Sequence, residues 1–249
     1  MARYGEVVYS FFPPLTRMVK TLVIITAGVF AVTYVLGSLP SATLQYYCWL
    51  APVSYLGLRP YMVLHRFYIW EPVTYLFLHG GFFHIFFNLF ALWMFGADLE
   101  RQWGPRKFAR YYFLTGVGAG VLDVLLRPSS LAPVIGCSGA IYGILLAYGV
   151  LFPNRPIYLW MIIPIKAKWF VALMGGIELL SELSGSAPGI SHLAHLGGIL
   201  IGFIYLRGRG LTYRAELRYH DWRRSKLKRQ FDSYMRRQEK KDDSGRWIN

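Results

Sequence analysis

The sequence predicts an all-α polytopic membrane protein, because its composition and the spacing of its apolar runs agree. Of its 249 residues, 55% are hydrophobic and 16% are charged, which is too apolar for an ordinary soluble domain of this size. The charged residues lie mostly between apolar runs that are near the length needed to cross about 30 Å of hydrocarbon. Six spans are predicted, at residues 18–38, 79–98, 106–126, 138–153, 168–184 and 190–206.

The positive charge of the chain is expected to orient it in the membrane. With residues 1–17 as a cytoplasmic N-terminal segment, the inner segments hold 24 of the 27 Lys and Arg residues, and the outer loops hold three. Positive-inside sorting produces such a split. We therefore expect both termini in the cytoplasm, in the plasma or inner membrane if the source is bacterial. The lipid bilayer is then the expected partner of this charge, and nucleic acid is not.

The predicted six-span domain covers residues 18–206. A long outer loop at 40–78 separates its first two spans, and a basic cytoplasmic tail at 207–249 follows it. Residues 40–78 form an outer loop rich in Tyr, Trp, Leu and Pro, which we expect to be structured and partly embedded at the headgroup level. The tail at 207–249 carries 14 basic residues against six acidic ones. Apolar residues recur at helical spacing in this tail, so a basic helix lying on anionic lipid is expected there.

Four polar side chains lie inside the predicted spans, where a polar group is costly unless it faces a partner or a cavity. They are His84 and Asn88 in the second span, Ser138 in the fourth and His195 in the sixth. These three spans run in the same direction under the predicted topology. Counting from their inner ends places all four residues about 15 to 22 Å above the inner boundary, in one slab of the outer half of the membrane.

The fourth span is too short to cross the membrane unaided, since residues 138–153 extend only about 24 Å as a helix. Ser138 is therefore predicted to begin a submerged helix, after a segment, RPSSLAPVIGC, that dips into the protein. Unpaired backbone N–H groups and the helix dipole at this point suit a developing negative charge.

Small residues predict close approach of the fourth and sixth spans. They recur every four positions: Gly139 and Gly143 in the fourth span, and Ala194, Gly198 and Gly202 in the sixth. Ser138 and His195 each adjoin the first small residue of their row, so their side chains can meet as a base-activated nucleophile. His84 and Asn88, four residues apart on one helical face, can direct donors at the same point.

At these residues the chain resembles the rhomboid family of intramembrane serine proteases. The resemblance is carried by LHGGFFHIFFN, ERQWG, GCSG and AHLGGILIG, in this order along residues 18–206. It implies a six-transmembrane-helix rhomboid-like bundle. It further implies that span five and the loop at 185–190 form a side gate for substrates.

The resemblance also implies the roles of individual residues. Ser138 would attack the scissile carbonyl, and His195 would act as general base and then as general acid. The oxyanion would be held by His84, Asn88 and backbone N–H groups at Ser138 and the preceding residue. Tyr142 would pack against the imidazole ring and orient it. No acidic third member is implied.

Two positions depart from the pattern of the family. Cys137 stands before the serine where alanine is frequent, and it is small enough to fit. Trp70 is followed by Glu71, where many members carry arginine that can contact lipid headgroups. Cys48 is the second thiol of the chain, and no disulfide between the two cysteines is expected.

The expected function is therefore that of a serine endopeptidase that cuts single-pass transmembrane proteins close to the outer membrane face, with no cofactor and no metal. No HExxH zinc motif is present. Asp98 and Asp123, near opposite ends of their spans, do not form the facing pair of an aspartyl protease. The alternative is a catalytically inactive rhomboid-like protein that binds and escorts membrane helices, for which the Ser138 and His195 pair has no purpose.

Four further polar residues lie within or near the spans without an assigned chemical role. Asp123 and Glu178 are expected in structural pairs or at the interface rather than in the reaction. His79 and His192 are expected at the membrane interface or near the site, and no role is assigned to either.

Overall fold

The computed structural model describes residues 13–159, 162–184 and 191–208. Residues Met1–Ile204 belong to one compact unit, and a second unit begins at Tyr205. Most of the predicted N-terminal segment, the loop at 185–190 and the basic tail beyond residue 208 lie outside the described residues.

The described residues are mostly helical, as the sequence predicts. The long helices are α1 (Arg17–Phe30), α6 (Phe82–Ala91), α7 (Ala97–Trp103), α8 (Pro105–Leu126), α9 (Ser138–Leu151), α10 (Ala167–Ser184) and α11 (192–208). Helix α1 continues into a π-helical turn at Ala31–Val35, and a second such turn, Leu92–Gly96, joins α6 to α7. Short helices occupy the outer loop: α2 (Ala42–Gln45), a π turn (Tyr46–Leu50), α3 (Ala51–Leu56), α4 (Pro60–Arg66), α5 (Glu71–Thr74) and a 3₁₀ turn (Tyr75–Phe77).

Three helical segments of the described chain are long and apolar enough to cross a membrane, namely Arg17–Val35, Phe82–Trp103 and Pro105–Leu126. They coincide with the first three predicted spans. Helix α9 is a shorter apolar helix, as expected from the submerged start of the fourth span. Helices α10 and α11 occupy the remaining two predicted spans, and the total of six membrane crossings stays a prediction.

The second span differs from its predicted bounds, 79–98, at both ends. It begins at Phe82, and it ends at Trp103, after which Gly104 has a positive φ of +79° that favours glycine. The predicted span ends at Asp98, the first charged residue. In the structure the helix continues through the charged residues that follow, beyond its apolar part. The Glu100 carboxylate there accepts hydrogen bonds from the backbone N–H groups of Met18 and Val19, both at 2.9 Å, and so caps α1.

One element between α9 and α10 is not helical and was not part of the all-α prediction. Strands β1 (Pro156–Leu159) and β2 (Ile163–Lys166) form an antiparallel hairpin whose register pairs Pro156 with Lys166 and Leu159 with Ile163. Each strand is four residues long, with the sequences PIYL and IPIK, in which isoleucine and tyrosine favour strands and proline does not. Such short runs have no apolar period that distinguishes them from a loop in the sequence.

The outer loop is structured, as predicted, and an ion pair holds its middle. Glu71 is completely buried, and its Oε2 accepts a hydrogen bond of 2.8 Å from the backbone N–H of Arg59. Its Oε1 lies 2.9 Å from the Arg59 guanidinium. Glu71 therefore points into the protein and stabilises the loop, while Phe67 and Ile69 are 75% and 74% exposed. The embedding of this loop at the headgroup level stays a prediction.

Helix α9 lies in the centre of the described unit, and glycines set its distance from its neighbours. A Cβ at Gly198 of α11 would lie 1.9 Å from the carbonyl oxygen of Gly139. A Cβ at Gly143 would lie 2.6 Å from the Cβ of Thr115 on α8. The close approach of α9 and α11 that the small residues predict is therefore present, and Gly143 adds a second close contact toward α8.

Candidate active site

Ser138 is the first residue of α9, as predicted from the short fourth span. The backbone turns into this helix through Gly136, whose φ of +115° favours glycine. Because Ser138 begins the helix, its backbone N–H has no partner in the preceding turn of the same helix. A nucleophile at this position has donors and the positive end of the helix dipole beside it.

Ser138 and His195 are brought together by the packing of α9 on α11. The hydroxyl oxygen of Ser138 lies 2.6 Å from Nε2 of His195. With the hydroxyl as donor, Nε2 is the acceptor, and the proton of the neutral ring is on Nδ1. This is the tautomer that a general base needs in order to take the serine proton at Nε2.

Tyr142 lies one helical turn after Ser138 and covers the ring of His195. The two rings are stacked, with centroids 4.6 Å apart and planes inclined by 18°. The Tyr142 hydroxyl donates a hydrogen bond to Glu178 of α10. The ring of His195 is therefore held between α9 and α10.

His84 faces the start of α9 from α6. Its Nδ1 accepts a hydrogen bond of 3.4 Å from the backbone N–H of Gly80, so Nε2 carries the ring proton. A Cβ added to Gly136 would lie 2.7 Å from this Nε2, which shows how closely the ring packs against the segment before Ser138. The N–H of His84 therefore lies beside the segment that leads into Ser138.

Asn88 lies one turn after His84, buried on the same face of α6. Its Nδ2 donates to the backbone carbonyl of His84 at 2.8 Å, which uses one of the two amide hydrogens. Both side chains line the same cavity as Ser138 and His195. Among the described residues, neither makes a hydrogen bond with the serine hydroxyl.

The cavity that contains these four residues has a volume of about 2800 Å³ and lies between α6 and α10. The wall from α6 is phenylalanine-rich, and Phe170 and Met174 contribute from α10. Its lining is polar near Ser138 and His195 and again near Asp98 and Arg155, is apolar between these two regions, and leaves room for an extended peptide segment.

Glu178 is a residue of this site that the sequence interpretation missed. It is 7% exposed, and its carboxylate contacts two histidines of α11. Oε2 lies 2.6 Å from Nδ1 of His192 and 2.9 Å from Nδ1 of His195. Its depth is the signal that could have found it, because counting from Ala167 places Glu178 about 17 Å above the inner end of α10, level with His195.

The two other unassigned polar residues have structural partners. Asp123 is completely buried, pairs with Arg127, and accepts a 2.7 Å hydrogen bond from the Ser191 hydroxyl. The Ser191 oxygen in turn accepts a hydrogen bond from the backbone N–H of Ala194, so Asp123 and Ser191 cap α11.

His79 is buried, with Nε2 3.6 Å from the sulfur of Cys137. Cys48 and Cys137 are both free thiols.

One group of side chains has the donors of a metal site. The carboxylate of Glu178 and ring nitrogens of His192 and His195 lie within 4.8 Å of one another. Their distances of 2.6 and 2.9 Å are those of direct carboxylate to imidazole contacts, which account for the cluster without an ion. The donor set is thus better described as a charge network around the imidazole.

Comparisons with known proteins identify the family to which this chain is related. The family model described as the rhomboid domain matches residues 66–210. The chain is 28% identical over 167 residues to Rhomboid protein 1, mitochondrial, of Saccharomyces cerevisiae, a match covering 63% of this chain and 47% of that protein. It is 32% identical over 152 residues to RHOMBOID-like protein 1 of Arabidopsis thaliana, covering 58% and 36% of the two chains.

A second Arabidopsis thaliana protein, RHOMBOID-like protein 6, mitochondrial, is 32% identical over 136 residues, which is 54% of this chain and 41% of that protein. The matched region therefore spans less than half the length of each of these three relatives. The match to the family model, at residues 66–210, includes α6 and all later described elements up to residue 208, and thus every residue of the site.

Proposed function

The chain belongs to the rhomboid family, and from this premise we propose that it is an intramembrane serine endopeptidase. It hydrolyses peptide bonds of single-pass transmembrane proteins near the outer membrane face, using Ser138 as nucleophile and His195 as general base. The observation that carries this proposal is the 2.6 Å contact between the Ser138 hydroxyl and Nε2 of His195.

The reaction follows from the proton positions on these two residues. The Ser138 oxygen attacks the substrate carbonyl carbon while Nε2 of His195 takes the hydroxyl proton. The tetrahedral intermediate collapses as the C–N bond breaks, and the same proton passes from Nε2 to the leaving amine. A water molecule then attacks the acyl-enzyme and gives a proton to Nε2. The bond between the acyl carbon and the Ser138 oxygen breaks as Nε2 returns this proton to the serine oxygen, which releases the acid product and restores Ser138 and neutral His195.

The developing oxyanion is held by donors on two helices. The Nε2–H of His84 and the remaining amide hydrogen of Asn88 come from α6, and the backbone N–H of Ser138 comes from α9. A single donor of this kind typically accounts for about 3 kcal/mol of the barrier. The helix dipole of α9 adds positive potential at the same point.

The membrane arrangement is part of the proposal. Six helices cross the bilayer, α1, α6 with α7, and α8 to α11, with both termini in the cytoplasm, and the dyad lies in the outer half. The apolar cavity between α6 and α10 receives a substrate segment that has unwound from its helix, because only an extended backbone can present its carbonyl to Ser138. The polar carbonyls of that segment remain solvated at the catalytic end.

The test is proteolysis in proteoliposomes. A panel of single-pass helices with small, helix-destabilising residues near the outer face is co-reconstituted with the protein, and cut sites are mapped by mass spectrometry. We expect cleavage by the wild type and by Ser129→Ala, whose serine is exposed on the preceding loop, and none by Ser138→Ala. Binding of helices with no cleavage by any form would support the alternative, a non-catalytic escort protein.

A further inference from the structure

Glu178 on α10 directs its carboxylate into the group of side chains that surrounds the ring of His195. Oε1 accepts a hydrogen bond from the Tyr142 hydroxyl, and Oε2 lies 2.6 Å from Nδ1 of His192. The same Oε2 lies 2.9 Å from Nδ1 of His195. One carboxylate therefore contacts the ring of His195, the residue stacked on it, and its neighbour one turn before.

A carboxylate in this position needs a reason, because an acidic group in a membrane helix is costly unless it is paired. Salt-bridge and hydrogen-bond partners surround both oxygens of Glu178, so its charge is compensated. The Tyr142 hydroxyl contributes a hydrogen bond but no counter-charge. A positive charge on His195, which is its state after it takes a proton from serine, adds a counter-charge 2.9 Å from this carboxylate.

The contact with His195 is one of charge rather than of an aligned hydrogen bond. Nδ1 is buried and has no well-aligned hydrogen-bond partner among the described residues, although Oε2 is 2.9 Å away. A carboxylate at this distance still stabilises an imidazolium strongly in a site of low polarity. It also favours the tautomer with the proton on Nδ1, which leaves Nε2 free to accept from Ser138.

We propose that Glu178 is a positioning residue of the reaction, an acidic third member that acts on Ser138 through His195. It keeps the ring of His195 in the productive tautomer and stabilises the imidazolium, while His192 and Tyr142 hold the carboxylate in place. The proposal rests on the proposed function and extends it, since the family resemblance implies only a Ser–His pair. Helix α10, which lies beside the substrate cavity, then contributes the negative charge that stabilises the imidazolium.

A purely structural role would use the same contacts to tie α10 to α11, so the test must separate the two. The readout is the pH dependence of kcat/KM. The titratable groups of the described residues that face the His195 site are Glu178 from α10, Tyr142 from α9, His192 from its own helix, and His84 from α6 across the cavity. Only Glu178 carries a negative charge at neutral pH, so its removal changes the charge balance at the ring in one direction.

The experiment compares Glu178→Gln and Glu178→Asp with the wild type in the cleavage assay. Glu178→Gln should lower kcat by about 100-fold with little change in KM, because the imidazolium loses its counter-charge. Its remaining activity should persist to lower pH, with the acid limb of the profile displaced by about one unit, since a ring without the carboxylate protonates less readily. Glu178→Asp, which keeps the charge, should restore the position of the acid limb.

The matched control is Glu182→Gln, an exposed acid one turn further along α10, and it should leave kcat and the profile unchanged. Thermal unfolding of every variant reports on folding separately. An unchanged kcat and profile in a folded Glu178→Gln protein would overturn the positioning role, as would a bound metal ion, measured by elemental analysis, that Glu178→Gln loses. Absence of Ser138-dependent cleavage in the wild type would instead defeat the proposed function itself.

Discussion

Gly136 and His84 are packed so tightly that a Cβ at position 136 would lie 2.7 Å from Nε2 of His84. The same glycine has a φ of +115°, which alanine adopts only with strain. Gly136→Ala should therefore displace the His84 ring from the start of α9 and remove one oxyanion donor. We expect kcat to fall by about 100-fold or more.

The control for this variant is Gly81→Ala, at the start of α6. Its backbone is extended, and a Cβ there would meet only the Tyr34 hydroxyl oxygen at 3.9 Å. This variant should keep most of the activity. Near-normal turnover by Gly136→Ala would contradict the placement of His84 in the oxyanion site.

The contact between α9 and α11 gives a second prediction. A Cβ at Gly198 would lie 1.9 Å from the carbonyl oxygen of Gly139, so Gly198→Ala must push the helices apart. We expect a loss of stability of about 1 to 3 kcal/mol and a loss of cleavage, because Ser138 and His195 are on the separated helices. Gly176→Ala on α10, where a Cβ meets nothing within 4 Å, should be neutral in both measurements. The readouts are thermal unfolding in detergent and the cleavage rate.

The Arg59 and Glu71 pair predicts a non-additive double-mutant cycle. Burial raises the pKa of Glu71 even though the hydrogen bonds and charge of Arg59 lower it. Desolvation of this carboxyl thus outweighs its pairing, and removal of Arg59 alone leaves a buried acid without its partner. Arg59→Leu should destabilise the protein by about 3 kcal/mol, and the double variant with Glu71→Leu should recover much of that loss. Additive losses in chemical denaturation would show that the two side chains do not interact.

Topology is tested with reporter fusions in a bacterial host. Alkaline phosphatase fused after residues 60, 130 and 187 should be active, because these positions are predicted to lie outside. Green fluorescent protein fused after residues 104, 161 and 249 should fluoresce, because those positions and the tail are predicted to lie inside. A phosphatase-active fusion at residue 249 would contradict the six-span count or the orientation.

The contact between Ser138 and His195 was predictable because its constraints are local or periodic. Counting residues back from the inner helix ends placed Ser138 and His195 in one slab of the outer half of the membrane, and the rows of small residues indicated that their helices touch. Glu178 escaped this reasoning because an acid in a span is usually structurally paired, and its partners are known only once α10 is packed against α11.

The remaining differences also have physical causes. The hairpin at 156–166 consists of strands too short to carry a distinctive period. The cap of α1 by Glu100 depends on a contact between residues more than 80 positions apart in the chain. The cap is therefore set by tertiary packing that local sequence patterns do not encode.

The most direct test of the central claim is covalent labelling of the detergent-solubilised protein with a fluorophosphonate, followed by peptide mapping. We predict a single adduct on the oxygen of Ser138, strong reduction of labelling in His195→Ala, and full labelling of Ser129→Ala. An adduct on another residue, or equal labelling of Ser138→Ala and the wild type, would contradict the assignment of Ser138 as the nucleophile activated by His195.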